Sequence, residues 1–233
     1  MTVSALFFDV FGTLVDWRSS IARAAEALLA PRGHDLDWNA FAKAWRAEYQ
    51  PSMEEVRSGR RGFIKLDQLH RENLERVLQR FGLETLSNDV RAALNGIWHR
   101  LDAWPDVPAA MRRLYAKYRV APVSNGNISI MVDLARHNGF SWDTVLGAEI
   151  ARDYKPNARA YLASAEALDL DPSACMMVAS HSSDLAAAAK CGLKTAHVAR
   201  PDENGPGTGE TKPSVPVNHA VRDLTELAVI LGA

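Results

Sequence analysis

Cysteine is almost missing from this 233-residue chain, and the two present, Cys175 and Cys191, lack C-x-x-C spacing. That excludes a disulfide scaffold and a four-cysteine zinc site, and it fits a reducing, cytoplasmic compartment. A surplus of charge of one sign is lacking as well, since 27 Lys plus Arg stand against 28 Asp plus Glu. No sequence-wide field exists to draw in nucleic acid or an anionic membrane surface. Long apolar runs are also absent. Nothing approaches the ~18 consecutive apolar residues of a bilayer span, and Met1 to Val10 has neither the basic flank nor the apolar length of a secretion signal. What is present is 47% hydrophobic and 24% charged residues, enough for one sizeable core with a smaller insertion.

Short apolar runs punctuate the chain. Ala5-Leu6-Phe7-Phe8 leads directly into Asp9 and a turn containing Gly12, the pattern of a strand buried on both faces that delivers a carboxylate at its C-terminal end. That end is where open α/β sheets hold their ligands. Further runs at Val120 to Val123, Val145 to Ala148, Met176 to Ala179 and Thr195 to Val198 are spaced widely enough for crossover helices, so an α/β fold with a parallel sheet is expected. Helix starts are marked by Asp106 before Val107-Pro108, by Pro156 after Lys155, and by Ser182 or Ser183 ahead of a run that stops at Cys191-Gly192. The parallel core is assigned to residues 1–15 and 100–233.

Residues 16–99 show helical spacing instead, as in Ile21, Ala24, Ala25, Leu28, Leu29 and in Leu66, Leu69, Leu74, Val77, Leu78. A helical insertion after the first strand is expected there. Trp17, Trp38, Trp45, Trp98 and Trp104 lie in or beside it and are expected to fill its core. Between Arg200 and Pro216 the glycines Gly205, Gly207 and Gly209 mix with prolines without opening a helix, so this stretch is expected to be a surface excursion.

Four segments at the expected strand ends carry the chemistry: Asp9-Val10-Phe11-Gly12-Thr13, Ser124-Asn125-Gly126, Lys155-Pro156 and Ser180-His181-Ser182-Ser183-Asp184. In this order they resemble the motifs of the haloacid dehalogenase superfamily. The resemblance implies a doubly wound parallel sheet with a helical cap inserted after the nucleophile strand, matching the insertion at 16–99. Phosphatases of that superfamily carry a second Asp two residues after the nucleophile and an acidic pair near the fourth motif that helps hold magnesium. Here the first of these positions is Phe11, and neither Ser180 nor His181 adds an acid to Asp184. A phenyl ring neither donates a proton nor binds a metal, which argues against phosphoryl transfer. A carboxylate, a lysine and hydroxyl and amide donors suit displacement at carbon, where the leaving group departs as an anion and needs no proton.

Within the superfamily the chain is most similar to the type II 2-haloacid dehalogenases, through its Asp-x-Phe-Gly-Thr motif, Tyr154-Lys155-Pro156 and the Trp45-Arg46 pair of the insertion. The resemblance implies hydrolysis of small haloacid anions to 2-hydroxyacids, with no metal and no other cofactor. Asp9 is then the nucleophile that forms an ester, and halide departs toward Arg46 and Asn125. Lys155 holds the Asp9 carboxylate ionised, Asp184 pairs with Lys155 and orients water, and Thr13 and Ser124 donate hydrogen bonds. Amides following Asp9 and Asn125, at Val10 and Gly126, are assigned to the substrate carboxylate, with Phe11 and Tyr161 in the pocket.

Plainer readings stand beside these: a salt bridge for Lys155 and Asp184, turn caps for Thr13 and Ser124, a solvated helix residue for Arg46, helical core for Tyr161. His181 replaces an asparagine common in the family. It is either a turn histidine satisfied by backbone or a donor turned toward Arg46 and Asn125, which would favour departing fluoride and admit fluoroacetate as a substrate. The rival functions are a magnesium-dependent phosphatase sharing Asp9 and Asp184, and a non-catalytic binding protein of the same fold. Related dehalogenases are often dimers, so the resemblance also implies a homodimer.

Overall fold

The computed structural model describes residues 2–233. Strands β1 (Ala5–Phe8), β2 (Arg119–Ser124), β3 (Leu146–Gly147), β4 (Cys175–Ala179), β5 (Lys194–Val198) and β6 (His219–Val221) form one sheet in the order β3-β2-β1-β4-β5-β6. All neighbours are parallel. β1 is central, with Leu6 beside Val120 on one edge and beside Met176 on the other. Leu6 and Phe8 enter one hydrophobic layer and Ala5 and Phe7 the other, which is why the run shows no polar alternation. From β1 the chain proceeds toward β2, and from β4 it proceeds the opposite way, toward β5. The switch point therefore lies between the C-terminal ends of β1 and β4. Asp9 and Ser180 are the first residues past those ends.

Eleven α-helices accompany the sheet among the described residues: α1 (Trp17–Leu29), α2 (Trp38–Ala47), α3 (Tyr49–Arg57), α4 (Leu66–Arg80), α5 (Asn88–Asn95), α6 (Val107–Tyr115), α7 (Ile128–Asn138), α8 (Ala148–Ala151), α9 (Ala158–Glu166), α10 (Ser182–Lys190) and α11 (Leu224–Ile230). The stretch expected to be helical holds α1 to α5. α1 is capped by Asp16, whose carboxylate accepts the Ser19 amide, and buries Ile21, Ala25 and Leu29. α4 buries Leu66, Leu69, Leu74, Val77 and Leu78 along one stripe. These faces do not form a separate core: Trp17, Ile21, Trp45 and Trp98 belong to one continuous cluster with Phe8 of β1 and Val10 just past its end. α9 and α10 cover the other sheet face through Tyr161, Ala165, Leu185 and Ala188.

Several sequence expectations need correction. β6 has no counterpart among the apolar runs, because only three residues, His-Ala-Val, pair at the sheet edge. Pro156 precedes α9 by two positions instead of opening it, and Asn157 is the cap residue. Asp106 does precede α6, yet its carboxylate leaves its own helix to receive the forked guanidinium of Arg200 at 2.8 and 2.9 Å. The Arg200–Pro216 stretch is likewise not a simple surface excursion. Arg200 is 5% exposed and Glu203 4%, and Arg200 Nε donates to the Thr13 carbonyl at 2.8 Å. Ion pairing with Asp106 and the bond to Thr13 fold this loop onto the C-terminal end of the sheet, and a Gly/Pro-rich composition carries no sign of that. Both cysteines are free. No helix among the described residues is long and apolar enough to cross a membrane.

Candidate active site

β1 ends at Phe8 and presents Asp9, 7% exposed, at the switch point. Gly12, at φ +89°, turns the chain back so that the Thr13 hydroxyl donates to Asp9 Oδ2 at 2.8 Å. The Ser180 amide, from the neighbouring strand end, donates to Thr13 Oγ1 at 2.8 Å and holds the hydroxyl in place. Lys155 Nζ lies 2.8 Å from Asp9 Oδ1 and 2.6 Å from Asp184 Oδ2. Its backbone is anchored by its own amide, which donates to Asn125 Oδ1 at 2.8 Å. Tyr161 completes the row by donating its hydroxyl to Asp184 Oδ1 at 2.6 Å.

The charges in this row set one another. Burial by itself would raise the Asp9 carboxyl, but the Lys155 ammonium and then His181 hold it well below the usual carboxylate range. Burial opposes charge on Lys155 too, and Asp184 and Asp9 outweigh it, so the ammonium is held above its ordinary value. Asp184 is pushed up by burial and by the nearby Asp9 charge against the pull of Lys155. Desolvation, with Asp184 next, raises the Tyr161 phenol far above the range in which it ionises.

A cavity of about 520 Å³ opens over this row. Asp9, Asn125, Lys155, Tyr161, His181 and Asp184 line its sheet side, and Arg46, Tyr49, Gln50, Glu54 and Arg57 of α2 and α3 line the other. Phe11 stands between the two sides, edge-on to Trp98 at 5.6 Å and to Tyr49 at 6.4 Å between ring centres. The Arg46 guanidinium carbon lies 3.9 Å from the Tyr49 ring centre and 5.5 Å from that of Trp17, and its buried Nη1 has no hydrogen-bond partner. A buried guanidinium donor without a partner is costly in a finished protein and is a natural receptor for an anion. His70, stacked on Trp98 at 3.8 Å, is pushed well below the ordinary histidine value by burial and by Arg46. It adds a neutral ring to the aromatic wall.

The residues singled out from sequence take distinct places. Asp9, Lys155, Asp184, Thr13 and Tyr161 form one hydrogen-bonded row. Arg46, Phe11 and Asn125 line the cavity with Asp9. Because Asn125 Oδ1 receives the Lys155 amide, its Nδ2 is the end left to donate. Ser124 does not reach Asp9: its hydroxyl accepts the Gly126 amide at 3.1 Å, so it braces the turn and takes up the amide that sequence assigned to a substrate carboxylate. Val10 is fully buried in the hydrophobic cluster, and its carbonyl accepts the amides of Leu14 and Val15.

His181 follows neither expected course. Its Nδ1 lies 3.2 Å from Asp9 Oδ2 and its Nε2 lies 3.0 and 2.9 Å from the two oxygens of Glu203. Both ring nitrogens thus face carboxylates instead of Arg46 and Asn125. Burial would lower this imidazole, but Asp9 and Glu203 push it up to about 10. Glu203 and Tyr49 escaped sequence reasoning. For Glu203 the one available signal is indirect: a Cβ on residue 12 would stand 2.0 Å from its Oε1, so the glycine of the first motif makes room for it.

Comparisons with known proteins agree with this fold. The family model of haloacid dehalogenase-like hydrolases matches residues 3–192. The chain is 28% identical to an (S)-2-haloacid dehalogenase 4A of Burkholderia cepacia, over 99% of this chain and 96% of that one. Among solved structures, a defluorinating L-2-haloacid dehalogenase superposes with a TM-score of 0.96 at 42% identity, covering 99% of this chain and 96% of the other. A second L-2-haloacid dehalogenase gives a TM-score of 0.94, also at 42% identity, covering 100% of this chain and 99% of the other.

Proposed function

The chain belongs to the haloacid dehalogenase-like hydrolases, in their L-2-haloacid dehalogenase branch, and from that premise we propose that it hydrolyses the carbon–halogen bond of short 2-haloacids through an ester on Asp9. The observation that carries the reading is the division of the cavity: an ionised carboxylate pinned by Lys155 faces a space whose opposite wall holds an unpartnered Arg46 donor. A haloacid carbon between the two is attacked from one side and loses halide toward the other, as in-line displacement requires.

Lys155 and Thr13 keep Asp9 ionised and oriented. Arg46, set on the Tyr49 face, receives the halide, with Asn125 Nδ2 as a second donor. Asp184 holds Lys155, and Tyr161 holds Asp184. Water then attacks the Asp9 carboxyl carbon, which returns the aspartate and releases a 2-hydroxyacid, inverted if the carbon is chiral. Phe11, where a phosphatase needs an acid, leaves no proton donor for a departing alkoxide.

Fluoroacetate belongs in the proposed substrate range. Fluoride departure demands donors concentrated on one spot, and the buried Arg46 Nη1, held on the Tyr49 ring, with Asn125 on the facing side of the cavity supports that reading. The substrate is the only partner this reading requires, and nucleic acid has no role in it. A cytoplasmic homodimer completes the proposal.

The test is direct: incubate the protein with fluoro-, chloro- and bromoacetate and with a generic phosphate ester, with and without chelator, and follow halide and phosphate. Halide release that survives chelation supports the proposal. Phosphate release that needs magnesium overturns it in favour of the phosphatase. In a single turnover in heavy-oxygen water the product hydroxyl should be unlabelled and Asp9 labelled, whereas a labelled hydroxyl would mean direct attack by water.

A further inference from the structure

Glu203 has no role in the mechanism just given, yet it is more deeply buried than Asp9 or Asp184. Oε1 accepts the Trp17 indole N–H at 3.0 Å, and both oxygens accept from His181 Nε2 at 3.0 and 2.9 Å. A carboxylate withdrawn from water in this way is tolerated only with charged or hydrogen-bonding partners. His181 supplies one, and its other nitrogen faces the nucleophile at 3.2 Å. The imidazole is therefore a bridge between the attacking carboxylate and a second carboxylate that takes no part in the attack.

We propose that His181 is the catalytic base of ester hydrolysis and that Glu203 is the positioning residue that retains the Nε2 proton and leaves Nδ1 facing the ester. The proposal rests on the Asp9-ester reading. Asp184 is poorly placed for the task, since each of its oxygens already accepts a bond at 2.6 Å, one from Lys155 and one from Tyr161.

The proton follows the charge. In the resting site His181 lies between Asp9 from the β1 end and Glu203 from the 200–216 loop. Lys155 and Asp184 lie beyond Asp9, Arg46 acts on Glu203, and His197 of β5 is a further neighbour. With a carboxylate on each side, the imidazolium is the stable form. When Asp9 attacks, its oxygen bonds to the substrate carbon, the carbon–halogen bond breaks, and halide leaves with the electron pair. Asp9 is now a neutral ester, so His181 has lost one of its two carboxylates while Lys155 and Arg46 keep their charge. Its Nδ1 proton passes to solvent and, with the halide, accounts for the HX released overall. Neutral His181, its Nε2–H still donated to Glu203, offers the Nδ1 lone pair to water. Water oxygen adds to the Asp9 carboxyl carbon and gives one proton to Nδ1. The bond from that carbon to the alkyl oxygen then breaks, and the second water proton ends on the product hydroxyl. Asp9 returns as carboxylate and His181 as imidazolium.

The experiment separates the two halves of the reaction: rapid quench of enzyme with chloroacetate across a pH series, reading chloride release and, by intact mass, the carboxymethyl adduct on Asp9. His181→Asn should keep a near-parental chloride burst of one per enzyme and accumulate the adduct, with hydrolysis slowed roughly 10²–10³-fold. Glu203→Gln should keep an acceptor for Nε2 but remove the charge, so the imidazole loses its proton more easily and the acid limb of the hydrolysis step moves to lower pH. A purely structural role for Glu203 would lower the rate and leave the limb in place. The proposal is overturned if His181→Asn loses burst and hydrolysis in equal measure, or hydrolyses the adduct at the parental rate. Should His181→Asn fail to fold, the limb in Glu203→Gln decides alone, and an unmoved limb rejects the proposal. Chloride release by the parent without any adduct, in the parent or in either variant, instead removes the ester reading and this proposal with it.

Discussion

On the sheet side of the cavity, Asp9 accepts from Lys155 and Thr13, Asp184 accepts from Lys155 and Tyr161, and the Lys155 amide is tied to Asn125. On the helix side, Arg46 rests on the Tyr49 ring with Nη1 unpartnered, among aromatic rings that offer it no acceptor. The first wall is electrostatically complete before any substrate arrives. The second keeps a donor open, the place proposed for the departing anion. Preorganised charge is what a nucleophile needs, since reorganisation at the moment of attack would raise the barrier. A receptor for a leaving group works better incomplete, because its interaction then grows as the halide develops charge and so favours the transition state over the substrate.

This contrast can be broken most decisively at the nucleophile. Asp9→Asn should reduce halide release on the order of 10⁴-fold or more, short of slow deamidation, while the protein stays folded. Lys155→Ala should damage both function and stability, because it leaves Asp9 and Asp184 as buried carboxylates without their cation. A loss of about 3–5 kcal/mol in denaturant unfolding is expected alongside a rate loss of about 10³-fold. Arg46→Ala sharpens the comparison from the other wall. Turnover should fall roughly 10²-fold, more for fluoride than for bromide, with the melting temperature unchanged or raised. A melting temperature as low as that of Lys155→Ala would show that the helix wall is structural as well.

Smaller effects are expected from single hydrogen bonds. Tyr161→Phe removes one bond to Asp184 and should cost about 0.5–1.5 kcal/mol in transition-state or folding free energy, up to about tenfold in rate. The last concerns pH. His181 lies near 10 in the folded protein against an ordinary 6.5, so its contribution to stability is fully present below 6.5 and is lost as the pH rises through about 10. The melting temperature of the parent should therefore fall between pH 7 and 10.5 more than that of His181→Asn, and parallel curves would count against the double carboxylate contact.

What could be read from sequence was local. Ala5 to Asp9 is legible because a strand buried on both faces leaves a continuous apolar mark, and the four motifs are legible because each is a run of two to five consecutive residues, three of them at strand ends and Lys155-Pro156 in the loop between α8 and α9. α4 shows its stripe for the same reason. Side-chain direction was not legible. Ser124 and Thr13 are both hydroxyls in turns, and only the fold decides that one reaches Asp9 while the other braces Gly126. His181 sits in a motif position, yet where its nitrogens point depends on Glu203, a residue 22 positions on in a loop with no periodicity. β6 was missed because a three-residue edge strand leaves almost no pattern.

Order of synthesis gives the long-range bonds of the site a further meaning. The Asp9 to Lys155 contact spans 146 positions and the Trp17 to Glu203 contact spans 186. Translation delivers the aspartate first and its ammonium and carboxylate neighbours far later. On the ribosome, Asp9 is a hydrated carboxylate with no receptor opposite it, no more apt to be alkylated than any other on the nascent chain. Its reactivity begins only once Lys155 has emerged and the site has folded around it, so a chain stalled before that point carries the nucleophile in an inert form.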